Sequence, residues 1–384
     1  MRRRGNLWQR VVAFENLLLA FRKARRGKGR SPEVAEFGFN LEPELLCLQR
    51  ELEAGDYWPG KYRLFTIYER KPRLIAAAPF RDRVVHHAVM NVLESPLDRT
   101  FIHDSYACRK GKGVHAAVDR YQCWARRYAY VLQMDVAKYF PSIDCDLLKN
   151  KLQRRIKDKC LLELLERIID TGPEQGTPAV WFSGDGLLTP TERKRGIPIG
   201  NLTSQFFANL YLDDLDHHLK EVLRVRAYLR YVDDFAVLDD DQGRLHETRE
   251  VVRERLTLDR LQLHPWKSHI TPVSAGIDLL GYHVFPGRRR LRNDNGHRFA
   301  RKLRGFAEGY AAGRLDWEDF NPAVQSWIGH ARHAETEGLR RVIFGDTIFC
   351  RGSRPEAEPV PSRWFVEQQT EEGACGDPRQ QQPG

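Results

Sequence analysis

The sequence has few cysteines, none of them closely paired, and it lacks a long hydrophobic segment. Seven cysteines are scattered over 384 residues, and no C-x-x-C pair occurs. This excludes the usual spacing of a zinc site, and the odd number argues against a disulfide framework, so we expect reduced thiols in a cytoplasm. Near the N-terminus, Glu15 and Asn16 interrupt the apolar run VVAFENLLLA, which is also too short to span a bilayer. We therefore predict an amphipathic helix there, and no signal peptide or membrane partner.

The chain carries an excess of positive charge. Lysine and arginine number 62, aspartate and glutamate number 52, and the net charge is +10 at pH 7. Such an excess indicates a polyanionic partner, most simply nucleic acid, although a basic protein without such a partner is the alternative. Hydrophobic residues make up 41% of the chain, which is enough for the cores of two or three subdomains.

Helical and strand-like segments alternate along the chain, and several strands are separated only by turns. This order predicts an α+β fold with antiparallel pairs rather than a doubly wound α/β fold. The segment 144–170 has the apolar spacing of one long amphipathic helix. The apolar content falls after Arg351, which predicts a disordered tail over 350–384.

The stretch RYVDDFAVL, residues 230–238, has the apolar and aromatic content of a strand, yet Asp233 and Asp234 stand in its middle. Neighbouring side chains of a strand face opposite sides, so both carboxylates can approach one point only where the strand turns. A hairpin near 232–235 is therefore predicted. Buried carboxylates need a nearby cation or must be protonated. A solvated Asp-Asp turn on the surface is the alternative.

A third carboxylate lies in a second apolar strand. LQMDVAKYFPSID, residues 132–144, places Asp135 before a turn predicted at Pro141. If the two strands are neighbours, Asp135, Asp233 and Asp234 converge at one edge. Three carboxylates with open coordination positions suit Mg²⁺, which keeps waters and takes substrate phosphates. Because two such ions can clamp an in-line phosphoryl displacement, the pattern indicates nucleotidyl transfer.

Three motifs, in this order, resemble those of reverse transcriptases: QMDVAKYF as the first catalytic strand, RGIPIGNLTSQFFANLYL as the template- and nucleotide-binding turn and helix, and RYVDDF as the Y-x-D-D hairpin. The likeness covers roughly residues 5–345. It implies a right-hand polymerase fold and an RNA-directed DNA polymerase. The implied domains are fingers with N-terminal helices over 1–120, a palm over 121–290 with an insertion at about 145–195, and a helical thumb over 291–349.

The resemblance also assigns roles to single residues. Asp135 and Asp233 correspond to the main ligands of two Mg²⁺ ions, in whose place Mn²⁺ can also serve. Asp234 corresponds to a more peripheral carboxylate, and the Val136 carbonyl to an additional ligand. Phe140 corresponds to a steric gate, whose bulky ring collides with a 2′-hydroxyl and thereby selects deoxynucleotides. A simple core aromatic is the alternative for Phe140.

Basic residues around these motifs match positions that contact substrates. Lys71 and Arg73 lie in a segment that resembles the hairpin gripping the incoming triphosphate. Lys267 follows the catalytic hairpin, where related polymerases place a lysine that protonates the departing pyrophosphate. The loop 105–118 resembles the motif along the template, and its basic residues are Arg109, Lys110 and Lys112. Solvated surface charges are the alternative for each of these sites.

The segment IPIGNLTSQ, residues 197–205, resembles one subfamily, the reverse transcriptases of diversity-generating retroelements. Ile199 precedes Gly200, and Gln205 follows the serine, whereas retroviral, retron and group II intron enzymes usually carry a glutamine before the glycine. In retroviral enzymes that glutamine contacts the incoming nucleotide. An isoleucine cannot form that hydrogen bond. We therefore expect the incoming nucleotide to be less constrained beside Ile199, Gly200 and Gln205.

The subfamily implies a particular activity and set of partners. Its members copy an RNA template into cDNA with errors at template adenines, from a DNA or RNA primer and deoxynucleoside triphosphates, and they work with a small basic accessory protein. Two other interpretations stay open: a stand-alone bacterial antiviral-defence reverse transcriptase, and a non-catalytic RNA-binding protein on a polymerase-like fold.

Overall fold

The computed structural model describes residues 3–29, 31–68, 72–173 and 178–351. Lys71 and the predicted tail beyond Arg351 lie outside these ranges. Helices and antiparallel strands alternate along the described chain, which confirms the predicted α+β class. Within the described ranges, the helices are all too short or too polar to cross a membrane.

The N-terminal third is a layer of helices with one two-stranded hairpin. Its elements are α1 (Trp8–Val12), α2 (Phe14–Arg25), α3 (Pro32–Phe39), α4 (Leu41–Ala54), β1 (Arg63–Tyr68), β2 (Pro72–Ala77), α5 (Phe80–Asp98) and α6 (Val114–Ala125). Apolar residues at helical spacing give α2 a buried face, which packs on α5. The rings of Phe21, Phe37 and Phe80 join α2, α3 and α5. The β1–β2 hairpin, in contrast, is largely exposed.

The middle of the chain forms a four-stranded antiparallel sheet with helices. Its elements are β3 (Tyr130–Asp135), α7 (Tyr139–Ser142), α8 (Cys145–Gln153), α9 (Lys159–Asp170), α10 (Thr189–Glu192), α11 (Leu202–Tyr211), α12 (Asp213–His217), a π-helical turn (His218–Val222), β4 (Ala227–Tyr231), β5 (Asp234–Asp239), α13 (Gln242–Leu258) and β6 (His269–Pro272). The strand order is β4-β5-β3-β6. Strands β3 and β5, which are far apart in the sequence, are therefore direct neighbours.

Both faces of this sheet are covered, because its apolar side chains alternate between two cores. Leu132 and Met134 of β3 belong to a core shared with the N-terminal helices and with α8, α9 and α11. Val131 of β3 and Ala236 of β5 belong to a second core, shared with α6 and the C-terminal elements. The period of two along a strand produces this division.

The C-terminal part combines a small sheet with three helices. Its elements are a 3₁₀ turn (Val273–Ala275), β7 (Ile277–Leu279), β8 (Tyr282–Val284), β9 (Arg289–Leu291), α14 (Asn293–Ala311), α15 (Trp317–Ala331) and α16 (Glu337–Gly345). Helices α14 and α15 pack through Phe299 and Trp327, whose parallel rings lie 3.9 Å apart. The Trp327 Nε1 donates a hydrogen bond to Asn295 at 2.8 Å, so this ring also has its polar partner.

The single helix predicted over 144–170 is wrong: the structure has two helices, α8 and α9, joined by residues 154–158. The connection is paired with the N-terminus, since Arg4 N donates to the Arg155 carbonyl at 2.7 Å and Lys157 N to the Arg4 carbonyl at 2.6 Å. The Asp158 carboxylate accepts from Leu7 N at 3.1 Å. These contacts with a segment far away in the sequence outweigh the local helical pattern.

Asp144 anchors the long connection between α9 and α11. It is completely buried at the N-cap of α8, where its side chain accepts from Leu147 N at 2.9 Å. It also forms ion pairs with Arg193, at 3.3 Å, and with Arg260, at 2.6 Å. One carboxylate thus joins α8, the connection and the end of α13.

Replacement Asp144→Ala should lower the free energy of unfolding by about 3 kcal/mol or more, because it leaves buried Arg193 with one ion-pair partner fewer and removes a helix cap. Chemical denaturation measures this change. Asp146→Ala on the same helix is the control, since Asp146 is exposed and its ion pair with Lys149 is 3.6 Å long. Equal stability of the two variants would contradict the anchoring role.

Candidate active site

Three carboxylates meet at one edge of the four-stranded sheet. Strand β3 ends at Asp135, which lies directly opposite Asp234 at the start of β5. Between β4 and β5 the chain turns through Val232, whose φ of 57° is left-handed. The turn returns Asp233 toward β3, and Val136 N donates to the Asp233 carbonyl at 3.2 Å. The predicted hairpin near 232–235 is confirmed, and the structure meets the condition that the two strands are neighbours.

The cluster carries more negative charge than its surroundings favour. Burial, together with repulsion from Asp135, raises the pKa of Asp233 to about 6. Burial and repulsion from Asp233 and Asp135 raise the pKa of Asp234 to about 7. The ammonium of Lys267 forms an ion pair with Asp135. Because these pKa values are raised, a further cation at this edge would stabilise the ionised carboxylates.

The donor set fits a hard divalent cation that also takes ligands from a substrate. Carboxylate oxygens are the ligands that Mg²⁺ prefers, and Mg²⁺ is commonly held by one or two carboxylates together with waters and phosphates. In the described residues, His, Cys, Asp and Glu side chains form no cluster of three that could hold a metal by themselves. The three aspartates would therefore supply part of a coordination shell, and substrate oxygens would have to complete it.

The carboxylates line a cleft of about 820 Å³ together with three cations, Arg73, Lys267 and Arg292. Arg73, in β2 of the exposed hairpin, reaches this cleft and lies near enough to act on the charge of Asp233. Lys267 lines the same cleft. The predicted phosphate contacts Arg73 and Lys267 are thus beside the carboxylates, whereas Lys71 lies outside the described residues.

The predicted nucleotide-binding turn lies between the hairpin and the Phe140 turn. The Ile199 carbonyl accepts from Ala76 N of β2 at 3.0 Å, and Ile197 N donates to the Phe140 carbonyl at 3.0 Å. Phe140 and Ile199 are half-buried, and Gln205 on α11 is exposed. A glycine is required at Gly200, because its φ is 115° and a Cβ there would lie 3.0 Å from the Ile75 side chain.

The structure separates the three basic residues of the loop 105–118. The Arg109 side chain is only 8% exposed and donates to Asp98 and to the carbonyls of Ile102 and Ser105. Its predicted role as a template contact is therefore wrong, since its donors stabilise the loop from inside. Lys110 is exposed, and Lys112 is half-exposed, with its ammonium on the His103 carbonyl at 2.9 Å.

A buried network below the turn at Val232 centres on Arg230, to which the sequence pattern assigns no role. Arg230 Nε and Nη2 donate to the two Asp216 oxygens at 2.8 and 2.5 Å, and the side chains of both residues are fully buried. Its Nη1 donates to the Asn209 side chain and, at 3.0 Å, to the Val232 carbonyl. Tyr228 OH donates to Asp216 at 2.6 Å. The sequence signal that could have indicated this network is the charge of Arg230 at an inward position of the otherwise apolar strand β4.

Comparison with known proteins agrees with this geometry. A family model described as "Reverse transcriptase (RNA-dependent DNA polymerase)" matches residues 65–284, more than half of the chain. Protein YkfC of Escherichia coli K12 is 26% identical over 290 residues, which cover 65% of this chain and 73% of that protein.

Two relatives are encoded by introns. The group II intron-encoded protein LtrA of Lactococcus lactis is 25% identical over 208 residues, or 53% of this chain and 32% of that protein. The putative COX1/OXI3 intron 2 protein of Saccharomyces cerevisiae is 25% identical over 210 residues, or 53% of this chain and 23% of that protein. This chain thus spans a third or less of the length of these two relatives.

The described fold is a polymerase fold of the α+β class, with the carboxylates at the edge of its central sheet. The chain belongs to the reverse transcriptase family, the RNA-directed DNA polymerases.

Replacement Arg230→Lys should lower the free energy of unfolding by about 3 kcal/mol, because a lysine keeps the charge but loses the fork that binds Asp216 and the Val232 carbonyl. We also expect primer extension to fall about a hundredfold at a temperature where the variant is folded, since the turn that carries Asp233 loses its support. Chemical denaturation and single-turnover extension measure the two effects.

Arg226→Lys is the matched control, because Arg226 is exposed just before the same strand. It should keep both stability and rate. Wild-type extension by the folded Arg230→Lys variant would show that the turn keeps its geometry without the network.

Proposed function

We propose that the protein copies an RNA template into cDNA by nucleotidyl transfer at Asp135, Asp233 and Asp234. The observation that carries this proposal is the meeting of these three side chains, two of them in register on paired strands, in one cleft with Arg73 and Lys267. Reverse transcriptases use divalent metals, and the donor set fits them.

Asp135 and Asp233 would hold two divalent ions, with Asp234 and the Val136 carbonyl as further ligands. Bound Mg²⁺, or Mn²⁺ in its place, supplies the Lewis-acid chemistry that activates a primer 3′-hydroxyl and stabilises a pyrophosphate leaving group. Since burial and mutual repulsion raise the pKa of Asp233 and Asp234, the cleft favours an incoming cation over the empty, ionised cluster.

The cations of the cleft would bind the triphosphate and its product. Arg73 is placed to bind phosphate oxygens on the side of the hairpin, and Lys71 is proposed for the same role. Lys267, now paired with Asp135, would turn to the pyrophosphate and donate a proton to it as it leaves.

Phe140 and the turn around Ile199 would select the nucleotide. The Phe140 ring is half-buried against the core, so it is held in place while part of it stays open to a ligand. A ring in that position can exclude a 2′-hydroxyl by contact. Lys110, which is exposed, and Lys112, which is half-exposed, are proposed to contact template or primer. The internal bonds of Arg109 do not leave this role to it.

We further propose the diversity-generating retroelement type, with errors at template adenines and a small basic accessory protein. The support is the isoleucine before Gly200, with Gln205 after the serine of the turn. The Ile199 carbonyl accepts a hydrogen bond from β2, a contact that any residue at this position can make. The side chain is therefore what distinguishes this turn from one that carries glutamine.

Replacement Asp233→Asn should reduce primer extension on an RNA template by at least about a hundredfold. It should not lower stability. The folded pKa of about 6 lies above the ordinary value, so ionised Asp233 destabilises the fold increasingly as the pH rises toward neutral, and an amide has no such charge. Extension assays and thermal unfolding at pH 7 measure both effects.

Asp119→Asn, an exposed change on α6, is the control and should extend at the wild-type rate. Extension by Asp233→Asn at a rate near wild type would refute the catalytic assignment.

Replacement Ile199→Gln should lower the error frequency opposite template adenines about fivefold, the effect of one hydrogen bond of about 1 kcal/mol to the nucleotide. The backbone contact with Ala76 is unaffected by the side chain. Sequencing of cDNA made from a defined RNA measures the error spectrum. Leu202→Gln, exposed at the start of α11, is the control, and an unchanged spectrum in Ile199→Gln would refute the role of the isoleucine.

A further inference from the structure

A second, larger cavity lies away from the catalytic cleft. It has a volume of about 1530 Å³ and is formed by α8, α9, α12 and the N-terminal segment. None of the residues that line it also lines the catalytic cleft. The two cavities can therefore be occupied, and altered by mutation, independently.

The N-terminus and the α8–α9 connection build one wall of this cavity together. Arg3 donates to the Ile156 carbonyl through Nε, at 3.0 Å, and through Nη2, at 2.8 Å. Arg4 pairs with the backbone on both sides of the same residue. Two basic segments about 150 residues apart in the sequence are thus held side by side on ordered backbone.

The acidic residues of the cavity are already neutralised. Asp214 pairs with Lys151, at 2.9 Å, and with Arg155, at 3.3 Å. Glu221 is bonded to His217 at 2.7 Å. These groups form a charge-balanced floor that adds no net negative field at the rim.

The cations at the rim have no such partners. Arg154, Lys157 and Lys159 are exposed, and within the described ranges neither they nor Arg3 form an ion pair within 4.0 Å. The nearby Asp158 carboxylate accepts a hydrogen bond from Leu7 N at 3.1 Å. Four cations on ordered backbone, without an ion pair within 4.0 Å in the described part of the chain, form a surface for a polyanion with several phosphates rather than for one small anion.

We infer that this rim, formed by Arg3, Arg154, Lys157 and Lys159, binds the phosphate backbone of structured RNA outside the catalytic cleft. The nature of the polyanion rests on the proposed function, since an enzyme that copies RNA is surrounded by template beyond the few nucleotides in its cleft. Guanidinium and ammonium groups on a rigid turn contact phosphates without reading bases, so the binding depends on salt and not on sequence.

The experiment uses the full chain and two probes without added metal: a long structured RNA, and a short RNA–DNA template–primer that fills only the cleft. The variant Arg154→Glu/Lys157→Glu should bind the long RNA at least about tenfold more weakly, and the slope of log affinity against log salt should decrease by about one and a half units. Its affinity for the short duplex and its extension rate on that duplex should not change.

The control Arg244→Glu/Arg253→Glu makes the same charge change on α13, where both arginines are exposed and paired with acids. It should keep wild-type affinity for both probes. If the rim variant keeps the affinity and salt slope of wild type for the long RNA, the proposal is overturned. This holds even if the rim is then found to bind an acidic protein. If the wild-type protein does not extend the primer, that result counts against the proposed function. The affinity for the long RNA tests the rim separately.

Discussion

The pairing of β3 with β5 is the constraint on which the site depends, because the register alone decides where three like charges meet. Asp135 is opposite Asp234, and the left-handed Val232 brings Asp233 back to the same edge. A slip by one residue would turn each of these side chains to the other face. The two cores on either face oppose such a slip, since the apolar side chains of β3 and β5 alternate between them.

The site is held together at the expense of local stability. Raised pKa values show that the ionised carboxylates destabilise the folded state near neutral pH. The Arg230–Asp216 pair lies directly below the turn and fixes its backbone without neutralising the carboxylates above. A rigid, charge-balanced support under a charged, reactive surface is what preorganised catalysis requires.

Local patterns predicted the hairpin and the α+β class, because strand content, turn chemistry and paired aspartates are all encoded within a few residues. The pairing of β3 with β5, which joins segments far apart in the sequence, is seen only in the structure. The failures all involve partners that lie outside the local pattern. In the sequence, Arg109 resembles a template contact. In the structure, its guanidinium is bonded to Asp98 and to nearby carbonyls. The break between α8 and α9 depends on Arg4, about 150 residues earlier. The structural role of Arg230 becomes clear only from its hydrogen bonds to Asp216 and Asn209.

The same distinction applies to charge. The net charge of +10 predicts a polyanionic partner, but it does not say where that partner binds. Several arginines that contribute to it, among them Arg109, Arg155 and Arg230, are nearly buried and consumed by internal carboxylates. Cations that remain accessible are the ones that can contact phosphates, so the distribution of those cations, and not their total, decides which faces of the protein bind nucleic acid.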